Sequence, residues 1–207
     1  KIIAFAVPLF LGNLFQQLYN TADSLIVGNF LGSNALAAVS SSGNLIFLLV
    51  GFFNGIAIGA GVVIARYYGA GRHGDVQKAI HTTIAFGLAA GVVLTVIGVV
   101  LAPIILVWMG TPADVLPKST VYFRTYFAGS LYFVMYNVFV GILQSVGDSR
   151  HPLVYLIISS LINIVLDLLF VLVFHWGVFG VALATILAQC FSWIFGVFHI
   201  NRTYKTF

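Results

Sequence analysis

Charged residues are scarce in this sequence, and glutamate is missing altogether. Only 7% of the 207 residues are charged, and five aspartates form the whole acidic complement. Soluble domains carry about a quarter charged residues, so this composition excludes a soluble globular fold. A single cysteine, Cys190, excludes an internal disulfide, and its place in an apolar run indicates helix packing.

Patterns that would indicate catalysis or nucleotide binding are missing or lack their context. Walker A, HExxH and GxSxG patterns do not occur, which argues against an ATP-driven pump, a protease or a lipase. Gly69, Gly71 and Gly74 match GxGxxG, but an apolar helix precedes them where a dinucleotide site needs a strand. No basic face with interleaved aromatics occurs, so we expect no nucleic acid partner. We also expect no enzymatic activity.

Histidines and loop aspartates give no metal-site pattern. The five histidines are scattered, mostly near the ends of apolar runs, without metal-ligand spacing, and we interpret them as interfacial or capping residues. Asp75 and Asp148 directly precede helical runs, where a carboxylate can accept hydrogen bonds from free N–H groups. We therefore predict helix caps at both aspartates, and no metal site beyond a possible Na⁺ site.

Six long apolar segments follow one another along the chain. About 20 apolar residues, each rising about 1.5 Å, cross a hydrocarbon layer of about 30 Å. The predicted spans run approximately from Ile2 to Val27, Ala37 to Tyr67, Val76 to Val107, Thr120 to Leu143, Pro152 to Phe174 and Phe179 to Ile200. The sequence therefore predicts an all-α membrane protein, in which residues 1–207 form one six-helix transmembrane bundle in a lipid bilayer.

The loop charges predict how this bundle is oriented. Two basic residues, Lys118 and Arg124, fall on one side of the predicted membrane. Seven fall on the other side: Lys1, Arg66, Arg72, Lys78, Arg150, Arg202 and Lys205. Because cytoplasmic loops carry the excess of Lys and Arg, both termini are predicted to be cytoplasmic, in a cell inner (plasma) membrane. The run of the chain from Lys1 to Phe207 is expected to be part of a longer protein.

Small residues repeat on one face of two predicted spans. Gly51, Gly55 and Gly59 recur every fourth residue in the second span, and Gly87 and Gly91 do so in the third. Small side chains let membrane helices approach closely. We therefore predict close helix contacts at both sets of glycines.

Two aspartates, Asp23 and Asp167, lie inside apolar spans. A charge at the middle of a bilayer costs about 2.5–3.5 kcal/mol on insertion scales, so each should face the protein interior. Asn163 lies one helical turn before Asp167 and shares its face. Helix rise places Asp167 level with Thr185 in the outer half of the membrane, where Asp23 also falls.

These residues form a set of oxygen donors, to which Tyr19 can contribute. Such donors suit a small hard cation. Two neighbouring carboxylates can also hold a proton between them, because both remain ionised only at a high electrostatic cost. The sequence alone leaves a second interpretation open, in which Asp23 caps the outer end of the first span and Asp167 bonds to a neighbouring helix.

The first span and three later motifs resemble the multidrug and toxic compound extrusion (MATE) family of transporters. The matching positions are Pro8, Asn13, Gln16-Gln17, Tyr19, Asp23 and Val27-Gly28, followed by Leu31-Gly32 and Ala35-Leu36-Ala37-Ala38, the loops Gly69-Ala70-Gly71-x-x-Gly74-Asp75 and Gly147-Asp148-Ser149, and the run Asn163 to Asp167. The whole chain resembles the amino-terminal six-helix lobe of a two-lobe transporter. The resemblance implies that a carboxy-terminal lobe completes the protein.

The resemblance also implies a function and site roles. Members of this family export organic cations or amphiphiles in exchange for Na⁺ or H⁺. The resemblance therefore implies no cofactor, with Na⁺ or H⁺ as the coupling ion. By resemblance, Asp23, Asn163, Asp167 and Thr185 match a cation-coupling site with Tyr19 beside it. Pro8 matches a proline at which the first helix can bend.

Three other functions stay open at this point. A lipid-linked precursor flippase of the same superfamily shares the fold, but a cavity lined by Arg and Lys would favour it, and the spans contain almost none. A channel would need a continuous polar stripe along its helices. A membrane enzyme would need a nucleophile or a histidine among the polar residues of the spans.

Overall fold

A computed structural model describes residues 2–203 of the chain. Within this range the side chains of residues 2, 4, 42, 44, 45, 49, 50, 54 and 200–203 are not described. Of the positions used for the predicted orientation, Lys1, Lys205 and the side chain of Arg202 therefore lie outside the described part, as does Phe207.

The described chain consists of helices joined by short turns. They are α1 (Ile2–Ile26), a first π-helical segment (Val27–Leu31), α2 (Ser33–Gly69), α3 (His73–Trp108), α4 (Leu116–Ala128), α5 (Ser130–Ser145), α6 (Arg150–Leu168), a second π-helical segment (Leu169–Val173) and α7 (Gly177–Thr203). Residues 2–203 contain no β-strand.

Most of these helices are built to lie in a membrane. Helices α2, α3 and α7, and α6 together with its π-helical segment, are long and apolar enough to cross one, and the pair α4–α5 makes a fifth crossing if counted as one bent span. Helix α1, with 25 residues, packs along α6. In lipid every backbone N–H and C=O must be satisfied within the fold, which helices achieve. The predicted all-α membrane fold is confirmed.

The fourth predicted span is bent in its middle. Helices α4 and α5 meet at Gly129 at an angle of 49°. The N–H of Gly129 donates to the carbonyl of Tyr126 at 3.1 Å, a tighter i→i−3 turn that ends α4. A Cβ atom placed on Gly129 would lie 2.4 Å from Cγ1 of Ile186 on α7, so the bend needs a residue without a side chain.

The glycines of α3 are sites of close helix packing. A Cβ atom placed on Gly87 would lie 2.8 Å from Val138 Cγ2, and one on Gly91 would lie 2.7 Å from Leu131 Cδ1, both on α5. The tightest contact was not predicted: a Cβ on Gly98 would lie 2.3 Å from the ring of Phe127 on α4. The predicted close contacts in the third span are therefore confirmed.

The glycines of α2 behave differently. Cβ atoms placed on Gly51, Gly55 and Gly59 would meet no described atom within 4 Å. The predicted close packing of this face is wrong for the described part of the chain. Helix α2 approaches α5 through Gly61 instead, where an added Cβ would lie 3.3 Å from the carbonyl oxygen of Gly141. The spacing of the glycines identified one face of α2 that is lined by small residues, but α5 packs against another face of this helix.

Of the two predicted caps, one is present. Oδ1 of Asp148 accepts hydrogen bonds from the backbone N–H groups of Arg150 and His151, both at 3.2 Å, at the start of α6. Asp75 instead lies within the first turn of α3, where its carboxylate pairs with the guanidinium of Arg72 at 2.6 Å. The predicted cap at Asp75 is therefore replaced by a surface ion pair.

Candidate functional site

Asn163 and Asp167 of α6 are buried inside the bundle. Asn163 is 1% exposed and Asp167 is 0% exposed, while Thr185 on α7 is 8% exposed. The amide nitrogen of Asn163 lies 3.3 Å from Oγ1 of Thr185, so the structure brings together residues that the helix rise had placed at one level. Helices α6 and α7 pack side by side, which holds the three residues in one cluster.

The Asn163 amide has two orientations with different partners. In one, its nitrogen donates to Thr185 Oγ1. In the other, its nitrogen donates to Oδ2 of Asp167 at 2.9 Å and its oxygen accepts the backbone N–H of Thr185 at 3.2 Å. The second orientation satisfies both ends of the amide, and hydrogen-bonding chemistry therefore favours it. Asn163 then supports the Asp167 carboxylate directly.

Asp23 lies on α1 and contacts Asp167 of α6 where the two helices pack together. It lies half-buried near the end of α1, and its carboxyl group lies within hydrogen-bonding range of the Asp167 carboxyl group. Oδ1 of each aspartate is buried without a hydrogen-bond partner among the described residues. Asp23 therefore does not cap the end of α1, since its carboxyl group faces another acid in the interior.

Tyr19 connects α1 to α7. It lies one helical turn before Asp23 on α1, and its hydroxyl lies within hydrogen-bonding range of the Thr185 side chain. The hydroxyl of Thr185 also donates to the backbone carbonyl of Val181 at 3.2 Å. Thr185 of α7 thus contacts residues of both α1 and α6, and it links the three helices at this point.

Two tyrosines of α4, which are not among the predicted site residues, also face this cluster. Tyr122, which is 6% exposed, and Tyr126 stack on each other with ring centroids 6.2 Å apart. Both lie close enough to Asp23 for its charge to act on their hydroxyl groups. Their spacing of four residues places both on one face of a helix. The sequence contains nine tyrosines, so this spacing alone did not distinguish the pair from the others.

The arrangement provides what a small cation or a proton needs. The oxygen atoms at the acid pair are carboxylate, hydroxyl and phenol oxygens, the ligand type that hard cations prefer. Two carboxylates in contact repel each other unless positive charge lies between them or one carries a proton. The unpartnered Oδ1 atoms of Asp23 and Asp167 are where either would add a missing interaction. The residues therefore fit a coupling ion, and their role in transport stays a prediction.

Pro8 lies away from this cluster. It is buried inside α1, 15 residues before Asp23, which corresponds to about 22 Å along the helix. Proline lacks the N–H that would bond to the carbonyl four residues earlier, so the helix is weakened there. Its predicted role as a hinge remains a prediction.

Comparisons with known proteins agree on one family. The MatE family model matches residues 8–169, more than half of the chain. The probable multidrug resistance proteins YoeA and YpnP of Bacillus subtilis are 35% and 28% identical to it, over 96% and 98% of the chain but 44% and 45% of their own lengths. A crystal structure of MATE in the bent conformation superposes with a TM-score of 0.91 at 28% identity, covering 98% of this chain and 45% of that one.

The chain matches only part of the length of each of these relatives. The chain spans about half the length of the curated relatives it matches, which fits one lobe of a longer transporter. The match includes the helices that carry Asp23 and Asp167. The chain therefore belongs to the MatE family, the multidrug and toxic compound extrusion transporters that its sequence resembles.

Proposed function

We propose that this chain is the amino-terminal lobe of a secondary active antiporter. The transporter exports cationic or amphipathic drugs and toxins in exchange for Na⁺ or H⁺ across a cell inner membrane, with both ends of this lobe in the cytoplasm. The observation that carries the proposal is the contact between the carboxyl groups of Asp23 and Asp167, which come from two different helices. The multidrug resistance names of relatives support the substrate class.

The acid pair can convert ion binding into helix movement. Two unit charges about 4 Å apart repel by about 4 kcal/mol at an effective dielectric constant of about 20. Because about 1.4 kcal/mol changes an equilibrium constant tenfold, relief of this repulsion can shift a two-state equilibrium about a thousandfold. A cation or a proton between Asp23 and Asp167 favours α1 held against α6, and its departure favours their separation.

This site does not support an enzymatic function. The described residues around the acid pair are Asn163, Thr185, Tyr19 and the α4 tyrosines, without a histidine, a cysteine or a second base. The two basic residues of α4, Lys118 and Arg124, are both exposed, and Arg124 donates to the backbone carbonyl of Val99 at 3.2 Å. A lipid-linked precursor flippase, which would use basic residues to hold anionic head groups, is therefore less well supported.

The experiment is Asp167→Asn in the full-length protein reconstituted into proteoliposomes. We expect ion-driven efflux of a fluorescent organic cation to be abolished, while membrane insertion and thermal stability stay near the parent values. Asp114→Asn, which changes an exposed acid in the loop between α3 and α4, is the matched control and should transport normally.

Imposed Na⁺ and pH gradients, applied separately, identify the coupling ion. Transport that persists undiminished in Asp167→Asn under both gradients would remove the proposed mechanism. Transport of a lipid-linked precursor, but of no organic cation, would favour the flippase.

A further inference from the structure

A second cluster of ionisable side chains lies far from the acid pair, where α6 begins and α7 ends. It consists of Asp148 before α6, His151 in the first turn of α6, and His199 near the end of α7. One ligand atom from each residue can be chosen so that all three lie within 4.8 Å of one another. The transport mechanism proposed above uses none of these residues.

We propose that Asp148, His151 and His199 bind a divalent transition metal ion of the Zn²⁺ type. Two imidazole nitrogens and one carboxylate oxygen form a ligand set that Zn²⁺ commonly uses, and three protein ligands leave a fourth position for water. Mg²⁺ and Ca²⁺, in contrast, prefer sites built only of oxygen atoms. The proposal is independent of the direction and the driving ion of transport.

The distances between the ligand atoms are close to those of a tetrahedral site. Nδ1 of His151 lies 2.6 Å from Oδ2 of Asp148, and Nε2 of His199 lies 3.9 Å from the same oxygen. Metal–ligand bonds of about 2.0–2.2 Å place tetrahedral ligands about 3.3–3.6 Å apart, which lies between these two values. Small side-chain rotations suffice, and the metal ion would replace the hydrogen bond between His151 and Asp148.

The carboxylate is already positioned by the backbone. Oδ1 of Asp148 accepts the N–H groups of Arg150 and His151, so the helix cap fixes one oxygen and leaves Oδ2 directed at the histidines. Hydrogen bonds of this kind orient metal ligands and raise their affinity. The rings of His151 and His199 lie with centroids 4.1 Å apart, so both imidazoles face the same space beside Asp148.

The position of the cluster gives metal binding a structural consequence. His151 lies on α6, which carries Asn163 and Asp167, and His199 lies on α7, which carries Thr185. A metal ion would tie the ends of these two helices together, and His151 lies 16 residues before Asp167 on α6. We therefore expect Zn²⁺ to stabilise the protein even when no substrate is transported.

Binding is tested on the full-length protein in detergent, purified with a histidine-free tag and stripped of metal. Zn²⁺ is titrated against a fluorescent zinc indicator. We expect His199→Ala and Asp148→Asn each to weaken binding by at least about tenfold relative to the parent. His81→Ala removes an exposed histidine of α3 outside the cluster and should leave the affinity unchanged.

Thermal unfolding gives a readout that does not depend on transport. Zn²⁺ should raise the Tm of the parent and of His81→Ala, but not that of His199→Ala, because a ligand stabilises only the state that binds it. His199→Gln, which keeps a polar side chain, replaces His199→Ala if that variant does not fold. Equal affinities in the parent and the cluster variants, or absence of saturable Zn²⁺ binding, would overturn the proposal.

Discussion

Thr185→Val tests the acid cluster through its least acidic member. The substitution replaces a hydroxyl by a methyl group of similar size, so the packing of α7 against α6 is kept. The lost Oγ1 lies within hydrogen-bonding range of the Tyr19 hydroxyl, and it donates to the carbonyl of Val181 at 3.2 Å. In the favoured orientation, Asn163 accepts the backbone N–H of Thr185, which valine retains.

The size of the expected effect follows from which polar group loses its hydrogen-bond partner. Only the Tyr19 hydroxyl loses its described side-chain partner, because Asn163 keeps its contacts to the backbone and to Asp167. Leaving one buried polar group unsatisfied costs about 1–3 kcal/mol. If the ion-bound state depends on this contact, affinity for the coupling ion falls by a factor of about 5–150.

The assay is efflux from proteoliposomes at increasing concentrations of the coupling ion. We expect Thr185→Val to raise the half-saturating concentration by that factor, with a smaller change in the rate at saturation. Thr185→Ser keeps the hydroxyl and should restore most of the affinity. An unchanged half-saturating concentration in Thr185→Val would refute the assignment of Thr185, and an equal loss in Thr185→Ser would indicate packing.

Three further predictions concern the helices around the site. Gly98→Ala should lower the free energy of unfolding by about 1–3 kcal/mol through overpacking, and the Tm by about 2–12 °C. Gly74→Ala, on the same helix but in open space, should not lower the Tm. Pro8→Ala should raise thermal stability, because it restores a helix hydrogen bond, and slow transport measured in proteoliposomes if α1 bends there. Gly129→Ala should displace Ile186 beside Thr185 and weaken ion affinity, and adding Ile186→Ala should recover part of the loss, as a double-mutant cycle can measure.

The spans could be predicted because the bilayer imposes one simple rule. Each crossing segment must be apolar and must satisfy its own backbone, so hydropathy and length identify it. The bend at Gly129 follows another cause: Ile186 of α7 occupies the space that a side chain would need. That contact joins residues far apart in the sequence, and nothing in the apolar run from Thr120 to Leu143 marks it.

The acid cluster could be predicted because charge is so rare in this chain. Asp23 and Asp167 stood out in apolar surroundings, and helix rise then placed Thr185 at the same depth. Tyr122 and Tyr126 could not be predicted, since aromatic residues are common in every span. The grouping of His151 with His199 depends on how the ends of α6 and α7 meet, which no local spacing encodes.

The two aspartates are held to different degrees, and from this difference we predict which helix moves. Asp167 is enclosed and accepts a hydrogen bond from Asn163, whereas Asp23 is half-buried and meets the cluster mainly through Asp167. A Cβ placed on Gly12 of α1 would lie 3.7 Å from Leu156 of α6, an ordinary contact without the interlocking seen between α3 and its neighbours. Among the described helices α1 packs chiefly against α6, whereas α6 also packs against α7. We therefore predict that ion binding between the two acids displaces α1 relative to α6, and not α6 relative to α7.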